Sequence, residues 1–239
     1  MELFKINKRG VEYVFSDLTS LPEIHEFIKH RFIDWENSTF DIFESVKNPE
    51  KIAIDLGAWI GLTGIWLSRH FKEVICVEAD KLSFDTLNNN LQSSLCTNVT
   101  LINKAIYKEK TTVVFGGNKY RNAPLNSSMS QIKNTATSHT DYICETITMY
   151  DLIHDYNLVG FIKVDIEGGE ENIVEDLLNI STKYKIPTYI SFHYTWWNNK
   201  NIGHFDFSGV RGFDESFKQI PDIISFIERN PFCSILFQP

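Results

Sequence analysis

The chain is poor in cysteine, has no excess of positive charge and contains no long apolar run, and each shortage removes a class of protein. Its 239 residues hold four cysteines, none in a CxxC or Cys/His spacing that would make a metal ligand set. Cys76 and Cys144 lie in strand-like runs, Cys233 in the terminal one and Cys96 near a turn, so reduced, mostly buried thiols are expected. In that setting the sequon Asn98-Val99-Thr100 carries no glycan. Lys and Arg number 23 against 31 Asp and Glu, a net charge of −8 with a pI near 5.4. That balance gives no general attraction to a polyanion, so no nucleic-acid partner is expected. No stretch approaches the roughly 18 apolar residues of a membrane span. The start, Met1 to Phe15, lacks the long apolar core of a signal peptide. The expectation is a cytoplasmic protein with no membrane span and no internal repeat. Nothing in the composition sets an oligomeric state.

Also missing is the dinucleotide fingerprint G-x-G-x-x-G. It would need glycines at 57, 59 and 62 or at 59, 61 and 64, yet Trp59 and Leu62 occupy the first frame and Trp59 leads the second. A bulky Trp59 stands where a pyrophosphate needs bare backbone, which disfavours NAD.

What is present is 43% hydrophobic residues, enough for one substantial core, and a single domain is expected, with residues 1–50 packed on a main body of 51–239. The organising stretch is Lys51 to Asp80. An apolar run (Ile52, Ala53, Ile54, Leu56) ends in Asp55-Leu56-Gly57-Ala58, a helical pattern follows to Arg69, and a second apolar run (Val74 to Val77) ends on Glu78. Continuous apolar strands joined by one helix make a βαβ unit of a parallel sheet. Gly57 and Gly61 let the backbone come close to a ligand at the carboxyl edge, where open α/β sheets bind small molecules. Asp55 suits a ligand carrying an ammonium or sulfonium better than a pyrophosphate, which favours S-adenosylmethionine. Glu78, about twenty residues beyond the first glycine, is placed to accept both ribose hydroxyls of either cofactor, or is a solvated strand end.

The preface reads as a β-hairpin over residues 2–20 around Lys8-Arg9-Gly10, then helices over 21–30 and 36–46, with Phe32, Trp35 and Phe40 as core or lid. After Glu78-Ala79-Asp80 come a helix from about Lys81 to Gln92, a strand from Val99 to Asn103, and Asn103-Lys104-Ala105 at the ligand edge, near an adenine ring or in an ordinary turn. Strands at Thr111–Phe115 and Ile143–Thr148 flank a Gly, Asn, Ser and Thr-rich insertion, where Asn126, Ser127 and Ser128 are expected near the substrate. A further strand ends in Lys163-Val164-Asp165-Ile166-Glu167-Gly168-Gly169-Glu170-Glu171, with a helix expected from about Glu167. Capping and dipole charge account for Glu170 and Glu171, but poorly for Lys163, Asp165 and Glu167 together. The strand Thr188–His193 ends on a histidine that meets Asp165 if the two strands are neighbours. Residues 194–216 read as a large loop, 221–228 as a helix and 232–237 as a last strand closing the sheet.

Taken together, Asp55-Leu56-Gly57-Ala58, Val77-Glu78-Ala79, Asn103-Lys104-Ala105 and the run Ile162 to Gly168 with its K-x-D-x-E-G pattern resemble the FkbM family of class I S-adenosylmethionine-dependent O-methyltransferases, over roughly residues 35–195. The resemblance implies a Rossmann-like, mostly parallel sheet with helices on both faces, preceded here by a small N-terminal hairpin and helical extension. It implies a methyl donor on the 55–61 loop and a hydroxyl acceptor on a sugar or polyketide. The cofactor contacts would be Asp55, Gly57, Ala58, Trp59, Gly61, Glu78, Ala79, Asn103, Ala105 and Asp165. The family usually carries asparagine where this chain has Trp59, and often proline where it has Asp80. For the chemistry, His193 is expected as base, oriented by Asp165 or Glu167, with Lys163 balancing charge. A divalent cation on Asp165, Glu167 and His193 is the competing version. A noncatalytic module that has kept the fold is the alternative of another class. The motif Asp/Asn-Pro-Pro-aromatic of amine methyltransferases is absent, since Asp165-Ile166-Glu167-Gly168 stands in its place.

Overall fold

The structure is a computed structural model that describes residues 3–16, 22–116, 131–133, 141–152 and 154–239. The expected hairpin is β1 (Leu3–Lys8) and β2 (Val11–Ser16), turning on Arg9 and Gly10. Both turn residues have positive φ, as a two-residue hairpin loop that matches strand twist requires. Helices α1 (Pro22–His30) and α2 (Asn37–Val46) follow, and the ligand-binding unit is β3 (Asn48–Leu56), α3 (Leu62–His70) and β4 (Phe71–Val77). Next come α4 (Lys81–Ser93), β5 (Val99–Ile102), β6 (Ala105–Ile106), β7 (Thr112–Gly116), β8 (Gln131–Lys133), β9 (Tyr142–Ile147) and α5 (Met149–Leu152). The rest is β10 (Val159–Val164), α6 (Val174–Tyr184), β11 (Thr188–His193), β12 (Arg211–Phe213), β13 (Gln219–Ile220), α7 (Ile223–Arg229) and β14 (Phe232–Gln238).

Eight strands form the main sheet in the order β13-β12-β14-β11-β10-β3-β4-β5. The run from β5 to β11 is parallel and β14 is reversed. Side chains alternate as the pleat demands. Ile54, Leu56, Ile162, Val164 and Ile190 meet α6 and α7 on one face. Ala53, Val74, Cys76, Phe161 and Tyr189 meet α3 and α4 on the other. Helices therefore cover both faces. The N-terminal elements belong to the second layer: Tyr13, Phe15, Ile24, Phe32, Phe40 and Phe43 share one core with Trp66 and Phe161. This explains why α3 is buried from Leu62 to Ser68.

Three details differ from the sequence reading. The last strand does not close the sheet; β14 lies between β11 and β12, and the short β12 comes from the stretch read as loop. The strands at 112–116 and 142–147 leave the main sheet and join β6 and β8 in a four-stranded one. The helix expected from Glu167 starts at Val174, because Glu167 and Gly168 adopt positive φ and a single 3-10 turn, Gly169–Asn172, intervenes. Asn126, Ser127 and Ser128 lie outside the described residues. Asp80, where the family often has proline, caps α4: its side chain accepts the N–H groups of Leu82 and Ser83 at 3.0 Å each. Among the described residues no helix is long and apolar enough to cross a membrane.

Candidate active site

The strand order reverses direction of growth between β3 and β10, the position where open α/β sheets leave a crevice at their carboxyl ends. The glycine turn floors that crevice. The N–H groups of Gly57 and Ala58 donate to Val77 O at 2.9 and 3.1 Å, tying the turn to the end of β4. At Gly57, with φ +74°, a Cβ would stand 1.8 Å from Asp165 O, so no other residue fits between β3 and β10. Trp59 also has positive φ, 48°, a conformation that asparagine tolerates far better than a bulky residue. Two contacts hold it there. Its N–H donates to Glu78 Oε2 at 2.8 Å, and its ring packs against Phe27 and Trp35 with centroids at 5.7 and 6.3 Å.

Glu78 is buried, and its Oε1 accepts the Asp80 N–H at 2.7 Å. Burial pushes its carboxyl up to about 8, against the pull of those two N–H bonds. Each oxygen still has a second lone pair to offer a ligand.

A cavity of about 370 Å³ opens over this floor, within the range of small-molecule sites. Of the expected donor contacts, Gly57, Ala58, Trp59, Glu78, Ala79, Ala105 and Asp165 line it. Asp55, Gly61 and Asn103 stand behind the wall instead. Asp55 is fully buried, accepting Thr63 Oγ1 at 2.6 Å and pairing with Lys163 Nζ at 3.1 Å. Its charge is thus paired inside the protein, and it does not line the cavity. Gly61 opens α3 with φ +91° where a Cβ would meet Leu87 at 2.7 Å. Asn103 Nδ2 donates to the carbonyls of Glu78 and Ala79 at 2.8 and 3.2 Å, so it fixes the loop that carries them.

The second chemical stretch arrives at the same edge. Lys163 donates to Gly57 O at 2.8 Å and lies 4.0 Å from Asp165 Oδ2. Burial alone would lower its pKa, but the charges of Asp55 and Asp165 outweigh burial and raise it. Because β10 and β11 are parallel neighbours, Asp165 and His193 do meet. His193 Nε2 is 3.7 Å from Asp165 Oδ1 and 3.5 Å from Glu167 Oε2, both beyond hydrogen-bond length.

The group that orients the imidazole is neither of these. His193 Nδ1 is 3.0 Å from Oε1 of Glu170, which is fully buried. The same carboxylate accepts Trp197 Nε1 at 3.1 Å and the N–H groups of Gly168 and Ile166 at 3.1 and 3.3 Å. Among the described residues the imidazole's hydrogen bond is thus made to Glu170, while Asp165 and Glu167 stand at ion-pair distance from Nε2. Its neighbour Glu171 binds the N–H groups of Asn198 and Asn199 at 2.7 Å each, which clamps the loop after β11. Burial lowers the His193 pKa, yet the Glu170 bond and the charges of Glu170, Asp165 and Glu167 raise it to about 9. Burial, then the charge of Asp165, raises Glu167 to about 8. Asp165, Glu167 and His193 each offer a ligand atom, all within 4.8 Å of one another, and could hold a divalent cation.

One wall of the cavity was not anticipated. Phe27, Arg31, Trp35 and Glu36 of the N-terminal segment line it. Glu36 sits at the N-cap of α2 with φ 46° and makes no capping bond to the backbone. A sequence signal existed: an uninterrupted helix start normally shows Ser, Thr, Asp or Asn at that position. Burial, then the neighbouring Asp165, raises the Glu36 carboxyl to about 7.

A family model described as "Methyltransferase FkbM domain" matches residues 63–232. No curated protein matches the chain significantly. Among solved structures, a methyltransferase FkbM from Methylobacillus flagellatus shares 16% identity at a TM-score of 0.49, covering 94% of this chain and 56% of that one. This chain thus spans a little over half of that relative's length. A TehB-like SAM-dependent methyltransferase from Corynebacterium glutamicum shares 9% identity at a TM-score of 0.45, over 90% of this chain and 92% of that one. The M. jannaschii TYW2 structure in complex with AdoMet shares 12% identity at a TM-score of 0.37, over 80% and 62%. With the family match extending over well more than half of its length, the chain belongs to the FkbM methyltransferase family, whose methyl donor is S-adenosylmethionine.

Proposed function

We propose that the protein methylates a hydroxyl group, on a sugar of a glycan or glycoconjugate. The residues of the cavity fit the donor. Glu78, with a lone pair left on each oxygen, suits a vicinal pair of ribose hydroxyls. Ala105, Ile106, Phe115 and Ile132 offer an apolar slot for a purine, and Glu36 and Asp165 offer negative charge to a cationic group. Bound S-adenosylmethionine supplies a methyl already activated by a positive sulfur, so the protein has to align the acceptor oxygen and remove its proton.

The observation that carries the reading is the Glu170–His193 pair, which leaves Nε2 turned toward Asp165 and Glu167, two residues that line the cavity. In this reading Nε2 takes the hydroxyl proton as the oxygen takes the methyl. Asp165 stabilises the imidazolium formed, and Lys163 holds both Gly57 and the charge balance. With its pKa at about 9, His193 holds a proton at neutral pH in the free protein. A positive charge arriving beside Asp165 lowers that pKa and frees the base. A sugar acceptor is supported by the aromatic surface beside the base. Trp196 lies parallel to the His193 ring at 5.1 Å, and Phe232, 56% exposed, stands edge-on to both.

The test is methyl transfer from tritiated S-adenosylmethionine to glycan, natural-product and amine acceptors. His193→Ala should abolish transfer to hydroxyls while donor binding is kept. Near-wild-type turnover in that variant would remove His193 as base. Transfer to amines alone would overturn the hydroxyl reading, and donor binding without transfer to any acceptor would favour the noncatalytic module.

A further inference from the structure

The nucleoside does not use all the charge in the cavity wall. Lys104 is paired with Glu145 at 2.9 Å, and Lys163 is held by Asp55 at 3.1 Å and the Gly57 carbonyl. Arg31, exposed at the cavity, forms no ion pair among the described residues. A few residues on, Glu36 brings a carboxyl into the field of Asp165 and Lys163. Both belong to a turn that precedes residue 63, where the family match begins.

That turn is built, not loose. The buried Lys8 of the hairpin donates to the carbonyls of Phe32 at 2.9 Å and Ile33 at 3.1 Å, and also to that of Trp35. Its Nζ lies over the Phe40 ring at 4.6 Å. Trp35 then packs on Trp59 of the glycine turn. Glu36 is held in a left-handed conformation that costs a non-glycine residue of order 1–2 kcal/mol and is kept where surrounding contacts over-determine it. A strained acid without a capping bond and a guanidinium without an ion pair among the described residues thus line the same wall of one ligand cavity.

We infer that Arg31 and Glu36 bind the amino-acid end of the methyl donor, Arg31 taking its carboxylate and Glu36, with Asp165, its ammonium. This rests on the donor reading above. Glu78 anchors the ribose at the end of β4, and the apolar slot beyond it takes the purine, so the opposite end of the donor points toward β10 and the N-terminal turn. That end is a zwitterion and needs one cation and one anion.

The experiment compares two probes by calorimetry: S-adenosylhomocysteine, which keeps the amino-acid end, and 5′-methylthioadenosine, which lacks it. Losing one charge-assisted bond should weaken S-adenosylhomocysteine about tenfold or more in Arg31→Met and in Glu36→Gln, while 5′-methylthioadenosine binds each variant as it binds wild type. Arg31 is exposed, so its variant keeps the fold, and unchanged 5′-methylthioadenosine binding reports the fold directly. An equal loss for both probes would mean a structural role, and no loss for S-adenosylhomocysteine in Arg31→Met would mean no contact. Either result overturns the inference. Wild-type protein that binds neither probe would instead overturn the donor reading, and this inference with it.

Discussion

Replacing Glu170 by Gln isolates the contact that holds the His193 imidazole. Its two oxygens serve four donors: His193 Nδ1, Trp197 Nε1 and the N–H groups of Gly168 and Ile166. Glutamine has one acceptor oxygen, and with that oxygen on the His193 side its amide N–H groups face the Trp197 N–H. One buried bond is lost and two donors are left opposed, at about 1–3 kcal/mol. The bond to His193 also loses its charge assistance, worth about 1 kcal/mol, and 1.36 kcal/mol corresponds to one pKa unit. His193 should therefore titrate about 0.7 pH unit below the wild-type value of about 9. NMR titration of the imidazole resonance that vanishes in His193→Ala measures this without any acceptor. Stability adds a second reading of the same effect. Folding raises the His193 pKa, so its contribution is complete below the ordinary histidine value and is lost as pH rises through about 9. Wild-type Tm should fall across that window by more than the Tm of Glu170→Gln. A midpoint unmoved by the substitution, or an ordinary midpoint in wild type, refutes Glu170 as the orienting acid.

Three other outcomes follow from the geometry. Gly57→Ala places a Cβ 1.8 Å from Asp165 O at φ +74°, and should lower Tm and abolish S-adenosylhomocysteine binding; a variant that binds normally would mean that β3 and β10 can part. Lys163→Met strands the buried Asp55 and should cost about 3–5 kcal/mol in chemical denaturation, partly recovered when Asp55→Asn is added. An unrecovered double variant would show that Lys163 acts through Gly57 instead. Exhaustive chelation should leave turnover unchanged if His193 is the base; loss restored by Mg²⁺ or Mn²⁺ would assign Asp165, Glu167 and His193 to a cation.

The residues that could be read from the sequence are those whose signals are local. The strand, glycine turn, helix and strand from Lys51 to Asp80 were legible because apolar runs and glycines mark them within one unit. Asp165 and His193 were legible as strand ends, and their meeting needed only that β10 and β11 be neighbours. Glu170 and Glu171 were not separable, since two adjacent acids in a first turn look alike until one is found against an imidazole and an indole. The pairing of Asp55 was not legible because its partner, Lys163, comes from another strand 108 positions away. Glu36 and Arg31 were missed because the wall they form depends on docking of the N-terminal segment, which Lys8 and Trp59 secure through tertiary contacts. The strand β12 has three residues, too few to show a period.

The donor site is tested most directly by a crystal structure with S-adenosylhomocysteine. The ribose hydroxyls should lie on Glu78, the adenine against Ala105 and Ile106, and the sulfur on the side of Asp165 and His193. A ligand bound in the opposite direction, with its amino-acid end at Ala105, or seated outside this cavity, would contradict the account.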